Sequence, residues 1–313
     1  MSTLVKPAAL RAGARLAVLS PASTPKAELV HRGLERLREL GYETVLSPHA
    51  LDNGPLYYAG TLEQRLGDLH AAFADRTIDG IVCTRGGWGS AELLPYLDAE
   101  LVRKNPKVFV GYSDHSSLHS WFRNEAALVT FYAPMVAADF AREEGVDLAS
   151  WKHALEGDAD WSLGKNDGLR VLRGGVAEGK LLGGCVSILT QALGTDFAPV
   201  FGGGTILFLE DIGTKPYQWD RMLLHLRYSG RLAGVTGIVF GDMAQCVAEE
   251  EQEYLERAIL HSLRDFSGPI AIGLRSGHVY GANITLPLGV QVKLDLTEWE
   301  NPRMDFVESA VSV

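Results

Sequence analysis

Val108-Phe109-Val110-Gly111-Tyr112-Ser113-Asp114-His115-Ser116-Ser117-Leu118 opens as a β-branched and aromatic run, passes through one glycine, and reaches a serine just ahead of good helix starters. An apolar run of this length predicts a buried strand, and Asp114, Ser116 and Ser117 predict a helix start. Ser113 is left on the turn between them. A strand-turn-helix corner lifts its middle side chain off the sheet and aims backbone N–H groups at whatever that side chain attacks, which is the geometry of a nucleophile elbow. Asp114 and His115 stand where an elbow usually has a further glycine, so an ordinary turn with Ser113 as a helix cap is the competing reading.

The surrounding pattern sets this corner in a sheet. Residues 15–23 read as a first strand ending in a polar turn, and Leu29, Leu34, Leu37 and Leu40 recur at helical spacing until Gly41 stops them. Thr44-Val45-Leu46 gives a second strand, 51–60 a loop rich in Gly, Pro and Tyr, and 61–75 an amphipathic helix. A third strand over 78–84 runs into Arg85-Gly86-Gly87-Trp88-Gly89-Ser90, and a helix carrying Leu93, Leu94 and Leu97 leads to the Ser113 strand. Strands alternating with helices predict an α/β fold with a mostly parallel sheet and right-handed crossovers. Loops after successive parallel strands open on one edge, where ligands bind, so the glycine-rich loop and the Ser113 corner are expected to be neighbours.

Beyond a strand over 128–135, residues 157–179 lack a long apolar period, and the domain junction is placed there. This gives an N-terminal domain over 1–160 and a C-terminal domain over 175–313. The second half has a helix through Leu193, a strand over 205–209 ending in Glu210-Asp211, a helix from Trp219 to Arg227, a strand over 237–241 and a helix over 249–266. Its tail is strand-rich around 270–273 and 290–294, so it reads as mixed α/β with more antiparallel pairing.

Bulk composition narrows the function classes. The 313 residues exceed one usual core, which favours two domains. A formal charge of −10 without clustered Lys and Arg argues against nucleic acid or an anionic membrane as partner. Three widely spaced cysteines, Cys83, Cys185 and Cys246, fit a reducing compartment and lack the spacing of a metal site. The N-terminus reads as free of a signal peptide, and no apolar run reaches the ~20 residues of a membrane helix. A cytoplasmic protein is expected, with neither metal nor cofactor.

A serine nucleophile needs a base and an acid that orients the base. His31, His70, His225 and His261 fall in predicted helices, where packed or solvated roles dominate. His115 and His119 are spaced i,i+4, but no third ligand has recognisable metal spacing nearby. His278 lies between Gly277 and the Tyr280-Gly281 turn, where it could approach another segment closely or simply occupy the turn. Glu210 ends a short apolar strand; that it or Asp211 only caps the next element is an equal alternative. Spacing alone does not bring Ser113, Glu210 and His278 together.

Arg85-Gly86-Gly87-Trp88-Gly89, Gly111-Tyr112-Ser113-Asp114, Leu209-Glu210-Asp211 with Pro216-Tyr217 and Asp220-Arg221, and Gly277-His278 with Asn283 and Leu286-Pro287-Leu288-Gly289 together resemble the LD-carboxypeptidase family of serine peptidases. Gly60-Thr61, Arg65, Asp68-Leu69-His70 and Ala72-Phe73-Ala74-Asp75 fall in the same order. The family includes muramoyltetrapeptide carboxypeptidases of peptidoglycan recycling and microcin C immunity peptidases. The resemblance implies a Ser-His-Glu triad shared between an N-terminal nucleophile domain and a C-terminal domain, with Ser113 as nucleophile, His278 as base and then acid, and Glu210 as orienter. The N–H groups of Gly87 and Asp114 are expected in the oxyanion hole. Arg85 is a candidate for the substrate carboxylate on charge and place, or a brace of its own loop. The implied substrate is a muropeptide and the implied assembly a homodimer.

Tyr132-Ala133-Pro134 stands where relatives often have His-Gly-Pro, and Thr214 where many carry glutamate. Both departures bear on substrate preference. The short connection from Phe197 to Thr205 favours the recycling branch. Three rival readings remain: a peptidase of peptidyl or aminoacyl nucleotides, a non-catalytic ligand-binding protein, and a phosphate-binding enzyme. The last is weakened because the glycine loop lacks both the Walker lysine and the full GxGxxG spacing.

Overall fold

The computed structural model describes residues 4–158 and 160–312. In chain order the elements are β1 (Arg15–Leu19), α1 (Ala27–Glu39), β2 (Glu43–Leu46), α2 (Leu62–Ala74), β3 (Gly80–Cys83), α3 (Ala99–Lys104), β4 (Val108–Gly111), α4 (Ser116–Ala126), β5 (Thr130–Tyr132) and α5 (Leu148–Glu156). They continue with β6 (Trp161–Gly164), β7 (Arg170–Arg173), β8 (Val176–Cys185), α6 (Val186–Gln191), β9 (Thr205–Glu210), α7 (Pro216–Tyr228), β10 (Val235–Gly241), α8 (Gln252–Ser262), β11 (Ile270–Leu274), β12 (Leu286–Leu288), β13 (Gln291–Asp295) and β14 (Arg303–Phe306).

Residues 4–158, 281–289 and 309–312 form one compact unit. Its sheet has the order β12-β5-β4-β3-β1-β2, with every pair parallel except β12 against β5. Strands β3, β4 and β5 are buried along their whole length, as expected where helices cover both faces of a parallel sheet. Helix α2 begins in a capping box in which the Thr61 hydroxyl accepts from the Gln64 N–H and the Gln64 side chain accepts from the Thr61 N–H. The expected helix around Leu93, Leu94 and Leu97 is instead a 3₁₀ segment over Ser90–Tyr96 with Pro95 inside it. Proline removes a donor and disfavours the preceding helical turn. The α-helix starts afresh at Ala99, capped by the Asp98 carboxylate.

The other unit comprises 160–280 and 290–308. Its sheet runs β6-β14-β13-β8-β9-β10-β11-β7, parallel through β8, β9, β10 and β11 and antiparallel elsewhere. The mixed α/β class with antiparallel strands is as the sequence predicts. The stretch 157–179, which lacks an apolar period, carries β6, β7 and the start of β8; the first two are four-residue strands on which only alternate or single positions are buried. The core of this unit gathers Leu182, Leu207, Leu209, Trp219, Leu223 and Ile238. Strand β9, buried at all six positions, runs through it and ends in Glu210. Leu207→Ala is therefore expected to destabilise the protein by about 2–5 kcal/mol, the range for truncating a buried leucine, read as a lower urea midpoint at unchanged m-value.

Candidate active site

In the first unit, β4 ends at Gly111 and a short 3₁₀ turn over Ser113–His115 leads into α4. Ser113 has φ +64°, a left-handed conformation unusual for a residue with a Cβ. Such strain costs on the order of 1–3 kcal/mol and persists only where neighbours over-determine it. Here the Ser113 N–H donates to the Tyr132 hydroxyl (3.1 Å) and its carbonyl accepts from the Ser116 hydroxyl (2.8 Å). The next carbonyl, of Asp114, accepts from the Ser117 hydroxyl at 2.9 Å. The corner is thus pinned on both sides, and Ser113 itself is half-buried.

The glycine loop after β3 lies against this corner. A Cβ on Gly86 would stand 2.9 Å from Ser113 Cβ and 3.1 Å from its Oγ, so only a glycine lets the loop come this close. Gly87 is exposed, and Ser23 Oγ, from the loop after β1, accepts the Trp88 N–H at 3.1 Å. Arg85 is exposed and makes no hydrogen bond or ion pair among the described residues. Sequence reasoning placed Asp114 here for its N–H alone. Its carboxylate is fully buried and accepts the Ser90 N–H at 2.8 Å, while burial raises its pKa against the opposing effect of that hydrogen bonding.

Two buried histidines lie under the corner. His119 uses both ring nitrogens, Nε2 on the Gly111 carbonyl and Nδ1 on Thr130 Oγ1, each at 2.8 Å. The ring nitrogens of His115 have no hydrogen-bond partner among the described residues. Burial pushes the His119 pKa down to about 4; burial, and then His119, push that of His115 down to about 3. No group of three or more His, Cys, Asp or Glu side chains able to hold a metal occurs among the described residues.

In the second unit, Glu210 at the end of β9 is 1% exposed. His278 meets it twice: its backbone N–H donates to Oε2 (3.0 Å), and its Nδ1 lies 2.8 Å from Oε2 and 3.1 Å from Oε1. A carboxylate at Nδ1 keeps the ring proton there and leaves the lone pair on Nε2, the arrangement of a general base. Gly277, at φ +89°, allows the approach, since a Cβ there would lie 2.6 Å from Glu210 Cδ. Asp211 has a different task. Its Oδ2 accepts the Ser187 N–H at the start of α6, and its Oδ1 accepts the Ile212 N–H, each at 2.9 Å.

The chain matches the family described as "LD-carboxypeptidase N-terminal domain" over residues 16–133 and "LD-carboxypeptidase C-terminal domain" over 178–294. A Bacillus subtilis protein named "Probable murein peptide carboxypeptidase" is 35% identical over 297 residues, spanning 94% of this chain and 92% of that protein. The murein tetrapeptide carboxypeptidase of Pseudomonas aeruginosa is 31% identical over 274 residues, spanning 84% and 88%. Among solved structures, the microcin C7 self-immunity protein MccF in its wild-type apo state superposes with a TM-score of 0.90 at 22% identity, covering 98% of this chain and 100% of that one. At that identity the likeness is one of fold.

Two outcomes follow from the geometry. Gly277→Ala is expected to displace the histidine loop and lower peptidase turnover by about 10²-fold, the scale of a misplacement near 1 Å, in initial-rate assays. On acidification, the unfolded chain protonates its histidines near the ordinary value of about 6.5, whereas His119 and His115 stay neutral in the folded protein down to about 4 and about 3. Their contribution to stability is complete above the ordinary value and is lost as pH falls through that window. The loss should reach about 1.4 kcal/mol per pH unit for each histidine. Urea melts across the pH series should show a shallower acid limb for His115→Leu than for the wild type.

Proposed function

The chain belongs to the LD-carboxypeptidase family of peptidases, and from that premise we propose that it is a serine carboxypeptidase hydrolysing the L,D-amide bond before the terminal D-alanine of murein tetrapeptides. The observation that carries the reading is the Glu210–His278 pair, a buried carboxylate fixing one histidine through both its backbone and its ring. The pinned left-handed corner at Ser113 supports it from the other unit, and so do the names of the relatives from B. subtilis and P. aeruginosa.

In this reading Ser113 Oγ attacks the carbonyl carbon of the L-centre of the diamino residue while His278 Nε2 takes the hydroxyl proton. Glu210 holds the tautomer and stabilises the imidazolium that forms. The oxyanion of the tetrahedral intermediate is met by the N–H groups of Gly87 and Asp114, each worth roughly 10²- to 10³-fold in rate. Collapse breaks the C–N bond, and His278 returns the proton to the departing D-alanine amine. The tripeptide stays as an ester on Ser113 until water, deprotonated by the same histidine, releases it. Arg85, exposed and unengaged, is suited to the free carboxylate of the terminal D-alanine. The reading carries with it a cytoplasmic setting, consistent with three buried cysteines that form no disulfide, and a homodimer on the pattern of the family.

The test is D-alanine release from a murein tetrapeptide, run beside cleavage of an aminoacyl sulfamoyl adenylate. Turnover of the tetrapeptide is expected, with Ser113→Ala losing about 10⁴- to 10⁶-fold in kcat. Turnover of the adenylate alone would move the protein to the immunity branch. A Ser113→Ala variant with undiminished rate would remove the serine mechanism.

A further inference from the structure

The peptide between Gly89 and Ser90, where the glycine loop leaves the Ser113 corner, is held at both ends by buried charges. Its carbonyl, on Gly89, accepts from Arg65 Nη1 at 2.9 Å, and its N–H, on Ser90, donates to Asp114 Oδ2 at 2.8 Å. Arg65 is 2% exposed and Asp114 is wholly buried. The peptide dipole therefore lies with its negative end on a guanidinium and its positive end on a carboxylate. Rotating that peptide would turn its carbonyl toward the carboxylate and its N–H toward the cation, in an interior where such interactions are strong.

Both charges belong to segments that matter for the site. Asp114 follows Ser113 directly, so the turn that carries the nucleophile also carries the anchor of the loop. Arg65, on α2, donates through the same Nη1 to the Pro21 carbonyl at the exit of β1 (2.9 Å) and through Nη2 to Glu92 (2.6 Å), and it lies 4.6 Å from the Tyr58 ring centroid. The segments that follow β1, β3 and β4 are thereby tied together by one guanidinium and one carboxylate. Gly89 has φ +140°, and a Cβ on it would lie 2.9 Å from both Arg65 Nη1 and the Tyr58 ring, so the loop backbone is fitted around the arginine.

We propose that Arg65 and Asp114 are positioning residues for the reaction: by clamping the Gly89–Ser90 peptide they fix the 85–89 loop against Ser113, and with it the oxyanion donor that the loop supplies. This inference rests on the serine-carboxypeptidase reading above. Neither side chain is asked to touch the substrate. Their effect is on the transition state, because oxyanion donors act only when held within a few tenths of an ångström of the developing charge.

Arg65→Met keeps the apolar stem and removes the charge; Asp114→Asn keeps the shape and removes the charge. In D-alanine release from a murein tetrapeptide, each is expected to lower kcat by about 10²-fold with KM within about threefold of wild type. Because both act on one peptide, the double variant should lose little more than the worse single variant, whereas independent sites would multiply to about 10⁴-fold. Thermal melts accompany the kinetics, and Arg65→Gln, which also removes the charge, replaces Arg65→Met if the latter does not fold. Folded variants with kcat within threefold of wild type would overturn the clamp, as would losses that appear in KM or that multiply in the double variant. A wild-type protein inert on the tetrapeptide would instead overturn the serine-carboxypeptidase reading; an active wild type beside unaffected variants counts against the clamp alone.

Discussion

A carboxylate buried at the end of an apolar strand is the constraint on which the chemistry proposed for the second unit depends. Charge taken out of water is costly unless hydrogen bonds replace the lost solvation, and Glu210 is 1% exposed at the end of a strand whose every residue is buried. It accepts from both the backbone and the ring of His278. Satisfying the charge in this way dictates the rest: the loop must come close, so residue 277 must lack a Cβ, and the histidine must present Nε2 as its basic nitrogen. The burial of the carboxylate and the orientation of the base proposed for the reaction are served by the same hydrogen-bond contacts.

At the Ser113 corner the constraint is strain. A left-handed serine at the mouth of a helix is disfavoured by its own Cβ, and the structure opposes this with a tyrosine hydroxyl on one side and a serine hydroxyl on the other. Tyr132 is informative here. By sequence it is a departure from the family pattern, a residue bearing on substrate preference. In the fold it is fully buried and accepts the N–H of the very residue proposed as nucleophile. The departure thus falls on the support of the corner.

What the sequence made legible was local. The alternation of β-branched runs with leucines at helical spacing predicts the parallel sheet of the first unit, because each such element buries its own stripe or face. The strand-serine-helix order around Ser113 is likewise a short-range pattern. Strands β6 and β7 have no legible signal in the sequence because β6 alternates over only four residues and β7 buries a single position, too little to mark a strand. Strand β12 pairs with β5 from about 150 positions further along the chain, and its Leu-Pro-Leu sequence is that of an edge strand, where a missing N–H does no harm. Glu210 and Asp211 were indistinguishable by composition. Neighbouring side chains at a strand end point in different directions, and that alone gives one to the histidine and the other to the start of α6.

The buried acids of the two units share one feature that separates them from the ion pairs on the surface. Glu210 takes the N–H of His278, and Asp114 takes the N–H of Ser90. In each case a carboxylate next to the proposed chemistry is spent partly on a backbone donor, which makes it a device for placing main chain. Exposed pairs such as Lys104 with Glu100 hold flexible side-chain ends in water and are screened by salt. Only an interior charge, expensive to leave unmatched, can hold a loop or a peptide plane to one position. That is why the acids that matter here are the buried ones, and why a count of charged residues, or a net charge of −10, says nothing about them.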